Sequence, residues 1–140
     1  MPGTALLVLD EQLENPRHVA ALQDRGCAVR TVGDFGVQGR PDPEVVRQVA
    51  DQASDPWILV TMDLSIVEDF KGFDWNRYAI AWVRIRKELR GRAVEVAKAN
   101  TLHKHLDRMV GQRPGDHFTY TPERHDKHPP SVASMTEKQI

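Results

Sequence analysis

At 140 residues and 15.9 kDa the chain is the size of one domain, and with 40% hydrophobic and 28% charged residues it can build a packed core, which excludes wholesale disorder and low-complexity filaments. The longest uninterrupted apolar stretch, Tyr78 to Val83, falls far short of the ~20 residues that cross a bilayer. The opening MPGTALLVLDEQ lacks the basic leader of a secretory signal, so the expectation is a cytoplasmic protein with no membrane association. A single cysteine, Cys27, excludes an internal disulfide and a multi-cysteine zinc site.

The net charge of -1 conceals an asymmetry. Residues 1–70 hold 12 acids and 5 Lys/Arg, whereas residues 71–140 hold 8 acids and 14 Lys/Arg. Such polarity points to carboxylates gathered in one part and a polyanion-attracting surface in the other, against the plainer reading of an undirected solvated surface.

In chain order, Ala5 to Glu11 is a short apolar run ending in acid, which predicts a buried strand at 5–10. Asn15 as N-cap with Pro16 behind it opens a helix that runs to about Arg25 and stops at Gly26. Cys27 to Val32 is β-rich, completing a βαβ unit. The glycines and prolines of GDFGVQGRPDP make a loop, after which Asp42 as N-cap and Pro43 start a second helix, with Val45, Val46, Val49 and Ala53 on one face and Ser54, Asp55 and Pro56 closing it. Trp57 to Thr61 reads as a third strand, followed by Asp63. A short helix or loop precedes a fourth strand over Tyr78 to Arg86. Ala93 to Met109 forms the longest helix, and His117 to Thr121 a strand at a sheet edge. Residues 1–122 are thus expected to form one domain and 123–140 a flexible tail. The fold class expected is a three-layer α/β/α domain with a mainly parallel sheet of about four or five strands.

In open α/β sheets ligands bind at the carboxyl ends of the strands, where Asp10, Glu11 and Asp63 are expected, with Asp42 entering a helix between them. Crowded carboxylates repel unless a cation neutralises them, and an oxygen-only set suits Mg²⁺ or Mn²⁺. Such a metal lowers the pKa of a bound water and stabilises a phosphodiester under attack, so hydrolysis of a nucleic-acid backbone is the reaction class indicated. The competing reading is that Asp10 caps a turn, Asp42 caps its helix and Asp63 is a loop acid. The Thr61 hydroxyl is placed to bond a carboxylate or a phosphate. Arg84, Arg86, Lys87, Arg90 and Arg92 leave the fourth strand and suit a phosphate backbone, or else a plain solvated surface. Trp82 reads as core packing rather than base stacking. His103 and His105 stand two apart in a helix and His125 and His128 lie in the tail, so none reads as a metal pair. Cys27 carries no sign of an activated nucleophile.

The succession Leu7-Val8-Leu9-Asp10-Glu11-Gln12-Leu13, Gly26-Cys27-Ala28-Val29, Val32-Gly33-Asp34-Phe35-Gly36 with Asp42 after it, and Ile58-Leu59-Val60-Thr61-Met62-Asp63 resembles the short Asp-Glu-Asn-type PIN-like domains over residues 5–90. The resemblance implies a parallel-sheet α/β/α fold, a Mg²⁺- or Mn²⁺-dependent ribonuclease of the kind found as toxins of toxin–antitoxin pairs, and an acidic site at Asp10, Asp42 and Asp63. The chain departs from the pattern at Gln12, where asparagine is usual, and at Ser65, where a fourth acid is common; either Glu68 or Asp69 replaces it or the site has three acids only. The reading that results is an endoribonuclease acting on RNA, with a cognate antitoxin protein as partner and a homodimer left open. Its rivals are an inactive PIN-like module that binds protein or RNA, and a receiver-like domain phosphorylated at Asp63.

Overall fold

The computed structural model describes residues 5–36, 39, 42–53 and 56–127. Parts of the glycine-rich loop, the Ser54–Asp55 helix stop, His128 and the chain beyond it therefore lie outside the described residues.

Ten elements alternate along the chain: β1 (Leu6–Leu9), α1 (Pro16–Asp24), β2 (Ala28–Thr31), α2 (Asp42–Gln52), β3 (Trp57–Thr61), α3 (Ile66–Asp69), β4 (Ala79–Val83), α4 (Arg92–Val110), β5 (His117–Tyr120) and β6 (His125–Lys127). Local chemistry sets several boundaries. The Asn15 side chain accepts the Arg17 N–H at 2.9 Å and Pro16 occupies the first turn of α1. Gly26, at φ 84°, turns the chain out of that helix in a conformation that other residues rarely adopt. Thr31 and Asp34 exchange reciprocal bonds around a 3₁₀ turn after β2, so Asp34 serves as a cap. Asp42 stands within the first turn of α2, one residue further in than a cap.

The six strands lie in the order β2-β1-β3-β4-β5-β6, with every pair parallel except β5–β6. Side chains alternate between the faces as the strand period of two requires. Leu7, Leu9, Ile58, Val60, Ala79, Ala81 and Val83 join Leu22 of α1 and Leu102, Leu106 and Met109 of α4 in one cluster. Val8 packs with Val45 and Val49 of α2, and Leu59, Ile80 and Trp82 with Val46 of α2 and Ile66 of α3. The chain is α/β, with helices sorted to two sides of a mostly parallel sheet in a manner compatible with three layers. Leu7, Leu9, Ile80 and Val83 are fully buried, each worth ~2 kcal/mol of transfer free energy.

Gln112 ties this arrangement together behind α4. Its amide donates to the Ile80 and Asp116 carbonyls at 3.0 and 2.9 Å and accepts the Tyr120 hydroxyl at 2.7 Å. Burial pushes the Tyr120 phenol far above its ordinary value, so it remains a donor.

Three expectations need correction. The sheet has six strands rather than four or five, because His125–Lys127 forms β6 within the segment expected to be a flexible tail. β5 consequently lies inside the sheet, flanked by β4 and β6, and not at its edge. β4 ends at Val83, so the alternating Arg84-Ile85-Arg86 belongs to a loop. No helix among the described residues is long and apolar enough to cross a membrane.

Candidate functional site

The strand order reverses direction between β1 and β3: from β1 the chain goes outward to β2, then returns to the other side of β1. A crevice outside the carboxyl ends of strands at such a switch point is where α/β sheets bind ligands. Leu9 lies opposite Val60, and the Asp10 N–H continues the ladder by donating to the Val60 carbonyl at 2.8 Å. That register carries Asp10 to the position facing Thr61. Alternation puts both side chains on the face covered by α2 and α3.

Asp10 is 9% exposed. Its Oδ2 accepts the Thr61 hydroxyl at 2.7 Å and its Oδ1 the Glu11 N–H at 2.8 Å. Burial raises its pKa, the two hydrogen bonds pull it back, and the charges of Glu11 and Asp63 push it up again. Each oxygen retains a lone pair directed elsewhere.

Asp63 follows β3 by two residues. Its N–H donates to Thr61 Oγ1 at 3.1 Å, so one hydroxyl serves both acids, donating to Asp10 and accepting from Asp63. The Asp63 carbonyl accepts the indole N–H of Trp82 at 2.7 Å, from the adjacent strand. Its Oδ1 accepts the Ser65 N–H and hydroxyl at 3.1 and 2.9 Å.

Ser65, the residue in place of a fourth acid, also stands 2.9 Å from Asp69 Oδ2. A hydroxyl carries one hydrogen and serves one of these two carboxylates at a time. Asp69 therefore comes into the group from α3, whereas Glu68 of the same helix is not among the acids that act most on Asp42.

Asp42, at the start of α2, is half-buried. Burial raises its pKa from 3.8 to about 6, reinforced by the charges of Asp10, Asp63, Asp69 and Glu11 in that order. The partial positive charge of a helix N-terminus acts in the opposite sense and is outweighed. These four neighbours come from the end of β1, the β3 loop and α3. Neither Asp10 nor Asp42 has a lysine or arginine among the charges that act most upon it. Glu11 sits one residue beyond Asp10, and its carboxylate accepts the Gly39 N–H, tying the loop before α2 to the end of β1. Among the described residues no three His, Cys, Asp or Glu side chains are already drawn close enough to hold a metal ion.

The basic loop leaves β4, the neighbour of β3, at the same edge of the sheet. Arg84, Arg86, Lys87, Arg90 and Arg92 are all exposed. Arg86 pairs with Glu88 at 2.7 Å, and Arg90 donates to the Lys87 and Leu89 carbonyls at 2.7 and 2.8 Å, holding the loop in shape. Trp82 is the contributor that sequence reasoning missed: its ring is in the core as expected, but its N–H positions Asp63. Its place opposite Thr61 in the β3–β4 register is the signal, and that register is not visible in the sequence. Comparison with family models, with curated proteins and with solved structures returned no match.

Proposed function

We propose that the chain is a metal-dependent endoribonuclease of PIN-like type, three-layered in fold, acting in the cytoplasm as the toxin of a toxin–antitoxin pair. The observation that supports this reading is the link of Asp10 and Asp63 through the Thr61 hydroxyl, with Asp42 raised by the charges of Asp10, Asp63, Asp69 and Glu11 and no lysine or arginine among the charges that act most upon it. Uncompensated carboxylates disfavour one another strongly, and an oxygen-only donor set fits Mg²⁺ or Mn²⁺. The PIN-like pattern over residues 5–90 supports the same acids. A divalent cation held by Asp10, Asp42 and Asp63 would supply Lewis acidity toward a phosphodiester and make a water more acidic.

The chain's own groups then have distinct tasks. Thr61 and the Glu11 N–H hold Asp10 in one orientation. Trp82 and Ser65 do the same for Asp63. Asp42, at the start of α2 beside the other acids, would complete the cation's oxygen set or, with Asp10 and Asp63 alone holding the ion, orient the attacking water as base. Arg84 and Lys87 draw the phosphate backbone to this edge.

The test is cleavage of mixed single-stranded RNA by purified protein with Mn²⁺, with Mg²⁺ and with chelator, with Asp63→Asn taken through the same purification. Cleavage by the wild type alone, lost in chelator, supports the reading; equal inertness of both proteins overturns it. An inactive binding module then becomes the better account, and Mn²⁺ would leave its melting temperature unchanged.

A receiver-like domain is the second reading, favoured by one observation. The order β2-β1-β3-β4-β5 is that of the flavodoxin and chemotaxis-receiver sheets. Yet β4 runs into Val83-Arg84 with no hydroxyl residue, and β5 into Tyr120-Thr121-Pro122 with no lysine. Phosphoryl transfer from a small acyl phosphate to Asp63 would revive it.

A further inference from the structure

The densest concentration of cations outside the basic loop lies along α4. Its later half packs beside the β5–β6 turn, where Lys104 Nζ donates to the Glu123 carbonyl and His105 Nε2 meets the Thr121 carbonyl, both at 2.8 Å. Two clefts open on this seam. One of about 490 Å³ is lined by Arg86, Leu89, Arg92, Val96, Pro122 and Glu123, among others. The second, about 840 Å³, is lined by Lys104, His105, Arg108, Glu123, Arg124 and His125, among others. Glu123 borders both, so the two are neighbours along the seam.

Five Lys/Arg side chains line the pair against two carboxylates, Asp107 and Glu123. Asp107 is 97% exposed and stands 4.0 Å from Arg25, just past the end of α1, so it neutralises little. Lys104 donates to a backbone carbonyl and keeps its full charge. Arg86 and Arg124 face Glu88 and Asp126 in exposed pairs, which neutralise little. The smaller cleft adds apolar surface beside Arg86 and Arg92: Val96 is 49% exposed, one of two large hydrophobics so exposed among the described residues, and Leu89 and Pro122 line the cleft with it. A cationic cleft beside one with open apolar surface matches a single-stranded nucleic acid, whose phosphates need charge and whose unstacked bases need an apolar support.

We propose that the paired clefts are a track for single-stranded RNA, with Arg92, Arg124, Lys104 and Arg108 on its phosphates and the Arg84–Arg92 loop leading the strand toward the acids. The identity of the strand as RNA rests on the ribonuclease reading; the track as a phosphodiester site does not. A backbone site of this chemistry takes RNA or DNA, and the experiment separates them.

Binding of a fluorescein-labelled oligo(U) of about 20 nucleotides, measured by anisotropy in chelator so that nothing is cleaved, tests the track. The combined variant Lys104→Gln, Arg108→Gln, Arg124→Gln should weaken binding roughly 10-fold or more and lower the slope of log K against log salt by about 2. Removing as much charge elsewhere, with Lys71→Gln, Arg77→Gln and Arg113→Gln, should leave binding within about 2-fold. All six side chains are exposed, and melting curves verify that both variants fold. Wild-type binding too weak to measure, equal weakening by the two sets, or no weakening by the first overturns the track. Oligo(U) bound at least as tightly as oligo(dT) supports RNA as the occupant, and tighter oligo(dT) overturns it. If the first set alone abolishes binding while the wild type cleaves no RNA with Mn²⁺, the track stands and the ribonuclease reading falls.

Discussion

The Thr61 hydroxyl donates to Asp10 across the β1–β3 junction at 2.7 Å, and both residues are buried. Because the same oxygen accepts the Asp63 N–H, a single side chain sets the position of two acids that the sequence places 53 residues apart.

Thr61→Val keeps the β-branched shape and removes the donor. The charged Asp10 then loses a hydrogen bond worth about 2 kcal/mol. Urea unfolding should show this loss at pH 8 and a smaller one at pH 4, where Asp10 takes up a proton whose binding the Thr61 bond had opposed. Thr61→Ser should restore most of it. Equal losses for Val and Ser would mean that packing, not the hydrogen bond, sets the cost.

Asp42 should behave as a residue that costs stability in its working form. Its folded-state pKa, about 6, lies above the ordinary 3.8. The folded state therefore binds the proton more tightly, and the stability this confers is complete below 3.8 and lost as the pH rises through 6. At pH 8, Asp42→Asn should unfold later than the wild type by ~1 kcal/mol, a figure reduced for the solvent that reaches this half-exposed group. The advantage should shrink toward pH 4, and RNA cleavage should disappear. A variant less stable than the wild type at pH 8 would contradict the repulsion among the acids.

Trp82→Phe tests positioning. The core ring survives in smaller form and the Asp63 carbonyl loses its partner. Displacement of a catalytic carboxylate by even ~1 Å should lower kcat roughly 10- to 100-fold with little change in KM. A parallel fall in melting temperature with unchanged kcat would show that Trp82 acts in the core alone.

His18 supplies an opposite pH dependence at a distance from the acids. Its ring is buried between α1 and α4, with Nε2 3.2 Å from Glu95 Oε1, and Asn15, Lys98 and His103 stand around it. Burial holds its pKa below the ordinary 6.5, against the pull of Glu95. The unfolded chain thus binds the proton first, and stability is complete above 6.5 and lost as the pH falls toward the folded value. In an Asp42→Asn background, which removes one opposing trend, the urea midpoint should fall from pH 7 to pH 5, with buried His105 contributing in the same sense. His18→Gln should flatten that fall.

The parts of this fold that the sequence made legible are those where burial on both faces leaves an apolar run with an abrupt end. Ala5–Leu9 and Trp57–Val60 are such runs, and the acids that follow them are where they were expected. The expected fourth strand runs past the observed one because Arg84-Ile85-Arg86 imitates strand alternation after the pairing with β3 has ended. β6 left no mark, since His125-Asp126-Lys127 has no apolar residue and owes its existence to pairing with β5. Asp69 was only one of two replacements for the missing acid. α3 is four residues long, too short for periodicity to tell which way its side chains face.

The two borders of the sheet are unequal, and this bears on how copies of the chain can associate. β6 occupies the free backbone groups of β5 and then offers only three residues of its own, with Asp126 and Lys127 exposed. Among the described residues β2 pairs with β1 alone, leaving its outer rim open. A strand added between copies would meet four residues at the β2 rim and three at the β6 rim, where Asp126 and Lys127 discourage pairing. Such addition would favour β2 against β2, a twofold pair, over growth from both borders.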